Sequence, residues 1–199
     1  ISMATKLQSL TVGVDSGTNP HLTQLSLGNN RLLTTISAKN CTNLSTSVDA
    51  SGCTGLVSAD FSNTKIPSLQ LPNGGVLTTL YLPETISNLT IRNQQSISTL
   101  VFDGTLTSLS TLWIENVSSA VWGKVFWTTS SVFHSLLENI TGTKRVRLIG
   151  LDLELASWSD VQDFIDFLEP CTGITETGSY VAKAQISGTL DAGSITQNQ

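Results

Sequence analysis

Very few residues in this chain are of types and spacings that do chemistry. His21 and His134 are the only histidines, they lie far apart in sequence, and neither has a Cys, His or carboxylate neighbour at metal-ligand spacing. No G-x-S-x-G elbow presents a serine nucleophile. Asp160, Asp163 and Asp166 recur at i, i+3 and i+6, which places them on one solvated helix face, and no D-x-[DN]-x-[DN]-G loop accompanies them. Asp152 and Glu154 share a strand face, but nothing distinguishes a general acid from a base. Cys41, Cys53 and Cys171 are too few for a disulfide framework. Sequons at Asn40, Asn43, Asn88, Asn116 and Asn139 follow from a composition rich in Asn, Ser and Thr, and matter only in a secretory host. The expectation is therefore no catalytic residue, no cofactor and no metal: not an enzyme.

Composition narrows the partners. The 199 residues carry a net charge of −5, with 13% charged and 39% hydrophobic side chains. That is too hydrophobic for disorder. Short uncharged polar residues fill the surface instead, which suits β ladders in which stacked like charges would repel. The only basic cluster, Lys144, Arg145 and Arg147, is too small to release counterions from a phosphate backbone, so nucleic acid is not an expected partner. No apolar run reaches the ~20 residues that span a bilayer, so membrane insertion is not expected. No segment resembles a signal peptide, and the start at Ile1 leaves open that the chain is cut from a longer protein.

The element that positions everything else is a repeat. Leu22-Thr23-Gln24-Leu25-Ser26-Leu27-Gly28-Asn29-Asn30-Arg31-Leu32 fits the leucine-rich-repeat pattern LxxLxLxxNxL at each fixed position. The LxxLxL phrase returns from Leu33, Leu56, Ile66, Leu77, Ile86, Ile97 and Leu109, and with one extra residue from Leu44. Leu7, Leu10 and Val12 form an irregular further copy. The spacing of about eleven residues is too short for one coil of this kind, so two phrases make a coil of about 22 residues. Each phrase supplies a short strand whose two alternate apolar residues point inward. Two β ladders would then run along opposite sides of a solenoid, each coil burying its apolar set against the next.

Asn30, Cys41, Cys53 and Thr64 occupy one structural position, where a small polar side chain satisfies backbone groups as the chain leaves the strand. Cys41 and Cys53 are thus expected to be buried thiols on opposite sides of one coil, without a disulfide. Gln94, Thr105 and Val117 read as a loss of this position in later coils. Pro67, Pro72 and Pro83 punctuate the middle, and Pro72-Asn73-Gly74-Gly75 reads as a turn.

The composition changes after Val117. Val132, Leu136 and Ile140 recur at helical spacing, Val146 to Leu155 reads as one strand, and Ser157 to Asp160 opens a helix with Val161, Phe164, Ile165 and Leu168 on one face. Ala182, Ala184 and Ile186 alternate as a last strand. The expected organisation is mainly β, with a leucine-rich-repeat solenoid over 1–117 and a small α/β cap over 118–199 packed on it.

The outward strand positions are the candidate interaction surface. One ladder reads Ser37, Asp60, Tyr81, Val101 and the other Ser26, Gln70, Thr90, Trp113, each moving from polar to aromatic or apolar. Exposed aromatics on a rigid ladder are typical interface anchors, the alternative being that loops or the cap cover them.

The phrases "LTQLSLGNNRLLTTISAKNCTNL" and "CTGLVSADFSNTKI" resemble bacterial and phage leucine-rich repeats in which both halves of the coil are β-like. More narrowly, "LPNGGVLTTLYLPETISNLTIRNQ", "RVRLIGLDLEL" and "ISGTLDAGSITQNQ" resemble leucine-rich-repeat segments of tail or other virion proteins in phages of gut bacteria. The resemblance implies a structural protein of the virion, in the phage tail or fibre apparatus, engaged in protein–protein interaction or host attachment. Its partners would be other virion proteins or a host surface protein or glycan, with a homo-oligomer as a further option. A bacterial cell-surface adhesin repeat and a targeting appendage of a larger enzyme are the alternatives.

Overall fold

A computed structural model describes residues 6–104, 106–118 and 120–121 with their side chains, and strand backbones at 144–149, 151–155, 171–172 and 182–186. The expected helices around 132–140 and 157–168, Thr105, His134 and the aspartates at 160, 163 and 166 lie outside the described residues.

Short apolar–polar–apolar phrases separated by turns fold as short strands. They are β1 (Ser9–Thr11), β2 (Thr35–Ser37), β3 (Val48–Asp49), β4 (Ser58–Asp60), β5 (Ser68–Gln70), β6 (Thr79–Leu82), β7 (Asn88–Arg92), β8 (Thr99–Phe102) and β9 (Thr111–Glu115). Four further strands are β10 (Lys144–Ile149), β11 (Leu151–Leu155), β12 (Cys171–Thr172) and β13 (Ala182–Ile186). All pairings are parallel and mostly skip one strand in sequence, giving one sheet in the order β1-β2-β4-β6-β8 and another in the order β12-β10-β9-β7-β5-β3. Consecutive phrases therefore go to different sheets, and the chain winds as a β-solenoid of about four turns. Thr35 lies beside Ser58, Ser58 beside Thr79 and Thr79 beside Thr99, so a turn takes 23 (35 to 58), 21 (58 to 79) and 20 (79 to 99) residues.

The inward side chains stack into one core. Ile36, Ala59, Leu80 and Leu100 line up on one sheet, with Val48, Leu69, Leu89 and Leu112 on the other. Leu33, Leu56, Leu77 and Ile97, and Leu44, Ile66, Ile86 and Leu109, are buried where the chain enters each strand. Phe61, fully buried, lies just past β4 with its backbone N–H on the Tyr81 carbonyl at 3.0 Å, while the Ala38 N–H donates to the Asp60 carbonyl at 2.8 Å. Phe61 shares the core with the small Ala38, Ala50 and Ala59, a mix of volumes that dense packing allows.

Three sequence expectations need correction. The phrase from Leu22 is not a strand: Leu25 and Leu27 are buried in the core, and the segment lines a cleft of about 290 Å³ together with Ser47, Asp49, Ser51 and Gly52. Gly28, with φ 63°, and Asn29 close this segment against Gly52 of the next turn, where a side chain on Gly52 would have no room. The stretch from Val146 to Leu155 is two strands, not one. β10 extends the second sheet beside β9, while β11 pairs with β13, in-register from Leu151 opposite Ala182 to Leu155 opposite Ile186. The chain changes sheets between β10 and β11, which alternation of side chains cannot reveal. The second sheet consequently runs across the compositional boundary at 117. The third correction concerns Gln94.

Candidate interaction surface

Each turn closes around an inward polar residue. Asn30 donates its carboxamide to the Leu27 carbonyl, and Thr64 donates its hydroxyl to the Phe61 carbonyl at 2.8 Å. Cys41 and Cys53 are fully buried and free, their thiols facing the carbonyls of Val12 at 3.5 Å and Gly28 at 3.9 Å on the preceding turn. Burial pushes the Cys41 thiol above its ordinary range. Burial also raises Cys53, opposed by the Asn30 backbone N–H and reinforced by the charge of Asp49. Both stay protonated at neutral pH and are poor nucleophiles. Gln94 has not lost the position: it is fully buried, and Nε2 donates to the Pro72 carbonyl at 2.8 Å. Its longer arm reaches the previous turn's backbone, which the short-residue pattern hides. Val117 fills the next such place as an apolar plug.

Immediately before these inward residues stand Asn40, Asn63, Asn93 and Asn116, with φ of 62°, 52°, 53° and 47°. A left-handed residue there turns the chain sharply enough to aim the next side chain inward, and Asn tolerates that conformation better than any residue but Gly. Their carboxamides form two rails. Asn63 donates to Asn40 at 2.9 Å and Asn40 to the Val14 carbonyl at 2.7 Å; Asn116 donates to Asn93 at 2.8 Å and Asn93 to Asn73 at 2.7 Å. Sequence reasoning counted Asn40 and Asn116 only as sequons. Asn-Cys, Asn-Thr, Asn-Gln and Asn-Val at 40, 63, 93 and 116 were the signal.

On the outer faces, the row Ser37–Asp60–Tyr81–Val101 is a true ladder, with Thr11 as its first rung. The other row is Asp49–Gln70–Thr90–Trp113, followed by Arg147 on β10. Asp49, from the irregular Leu44 copy that the expected row passes over, stands beside Gln70, and Ser26 is no rung because the phrase from Leu22 forms no strand. Gln70 is exposed, while Asp60, Tyr81, Thr90, Val101 and Trp113 are half-buried. Tyr81 and Trp113 are on different sheets and are not brought together.

Trp113 is held firmly. Its indole N–H donates to Glu115 at 3.0 Å, Arg92 donates to the same carboxylate oxygen at 2.8 Å, and the guanidinium lies 4.3 Å from the ring centroid. Arg92 and Glu115 are direct ladder neighbours, so the sheet register assembles this clamp. The two charges neutralise each other and leave an oriented aromatic on a mostly uncharged face.

A second feature is an acidic corner. Asp60, Glu84 and Asp103 approach one another beside a groove of about 490 Å³ that Lys65 also lines. The Asp103 carboxylate accepts the Asn63 backbone N–H from two turns away. Burial raises the Asp103 pKa, the Asn63 N–H opposes this, and the charges of Asp60 and Glu84 raise it further. Among the described residues, no group of three His, Cys, Asp or Glu side chains is placed to hold a metal ion, and His21 is exposed with its backbone N–H on Asn19. No helix among them is long and apolar enough to cross a membrane.

The chain matches no protein-family model, no curated protein and no solved structure.

Proposed function

We propose that this chain is a non-enzymatic structural and interaction module, a leucine-rich-repeat solenoid of a phage virion that belongs to the tail or fibre apparatus. It docks on neighbouring virion proteins or on the host surface. The observation that carries the docking role is the clamp of Arg92 and Glu115 on Trp113. An aromatic fixed before binding loses little rotamer entropy on contact, and Trp and Arg are the residues that anchor interfaces. The place in a virion rests on the sequence resemblance of the repeat phrases.

Two measurements test this. An antibody raised against the purified chain should label the tail of purified particles in negative-stain electron microscopy; particles that lack the chain by mass spectrometry contradict the virion assignment. Particles carrying Trp113→Ala should adsorb to host cells, or assemble, on the order of tenfold less well, because removing an anchor costs ~2 kcal/mol or more. Unchanged adsorption and assembly would remove Trp113 from the docking surface.

A further inference from the structure

Asn73–Gly74 is the single Asn-Gly pair in the chain. Such a pair can react with itself. The glycine nitrogen attacks the asparagine Cγ, unhindered by a Cβ on the glycine, and the side-chain nitrogen leaves as ammonia. Water then opens the resulting succinimide to aspartate or isoaspartate. Asn73 is exposed, so water and base reach it freely.

The structure ties both reacting groups to the next turn. The Gly74 N–H, which must lose its proton before the nitrogen can attack, donates to the Arg92 carbonyl at 3.1 Å. The Asn73 side-chain oxygen accepts from Asn93 Nδ2 at 2.7 Å, and Asn93 in turn accepts from Asn116. Closure of the five-membered ring requires the side chain to swing away from this rail and onto its own backbone. The bend itself depends on Gly74 at φ 87° and Gly75 at φ 155°, so the sequence that makes the turn also makes it reactive.

We propose that Asn73–Gly74 is a spontaneous deamidation site gated by the asparagine rail: closed while this turn is wound, reactive once it opens. An aspartate at 73 keeps an acceptor for Asn93. An isoaspartate adds a methylene to the main chain, shifts Gly74 off Arg92 and cannot rebuild the turn. The product therefore marks irreversibly a chain whose turn at Asn73–Gly75 has opened.

The test incubates the full chain at mildly alkaline pH with and without urea and follows residue 73 by peptide mapping and mass spectrometry. Deamidation should be on the order of tenfold slower in the folded chain, since opening must precede reaction. Asn93→Gly, which removes the rung donor but keeps the positive-φ turn unstrained, should speed the folded chain's reaction several-fold with its circular dichroism retained. Equal rates with and without urea overturn the proposal, and so does a folded Asn93→Gly that reacts no faster. Where that variant loses its fold, the urea comparison on the unaltered chain decides.

Discussion

Asn40 combines the two tasks that make the corners work: it holds φ at 62° and links turns by accepting from Asn63 and donating to the Val14 carbonyl. The two tasks separate by substitution. Asn40→Gly removes the rung without backbone strain, while Asn40→Ala removes it and forces an alanine into the left-handed region at a cost of roughly 1–2 kcal/mol. Urea unfolding should rank the native chain above Asn40→Gly, with Asn40→Ala lowest; equal midpoints for the two variants would mean that φ at this site stores no strain. Asp103 gives a pH signature. Its pKa is raised in the folded state, so the native chain binds a proton that the unfolded chain releases. This group's contribution is fully present below the ordinary value of 3.8 and is lost as pH climbs from there through the raised folded value. Asp103→Asn should flatten that part of the stability-versus-pH curve and leave neutral-pH stability equal or higher. A fall in stability with rising pH that persists unchanged in the variant would assign the effect elsewhere. The inward Asn30, Cys41, Cys53 and Thr64 were legible in the sequence because short polar residues recur at one phrase position. The rails were not, because a left-handed φ leaves no periodicity in hydrophobicity.

At the level of the element, the phrase was legible wherever its spacing held. The Tyr81 row needs only counting, since Ser37, Asp60, Tyr81 and Val101 sit at the same place in four regular copies. The Trp113 row failed at its start, where one inserted residue before Val48 hid Asp49 as a rung and the phrase from Leu22, with Ser26, forms no strand. Pattern counting also could not split 144–155, because a chain that changes sheets between β10 and β11 keeps its alternation within each strand. Leu80, fully buried on an inner strand of its sheet with Ala59 and Leu100 beside it, should be the most sensitive kind of position. Leu80→Ala should cost about 2–5 kcal/mol by equilibrium unfolding. A loss below ~1 kcal/mol would mean that the turn collapses around the cavity, contrary to a stacked and close-packed core.

For the molecule as a whole, each strand pairs only with the strands of the adjacent turns, so register errors have nowhere to hide: an offset at one rung moves every outward residue beyond it. The docking surface exists only if phrases two apart in sequence are adjacent in space. Inter-strand amide NOEs on isotopically labelled protein test this directly. The account predicts connectivities that follow Ile36, Ala59, Leu80 and Leu100 in series along one sheet, and Val48, Leu69, Leu89 and Leu112 along the other. NOEs joining β4 to β5 or β6 to β7 as antiparallel hairpins would contradict it, and with it the placing of Trp113 between Thr90 and Arg147.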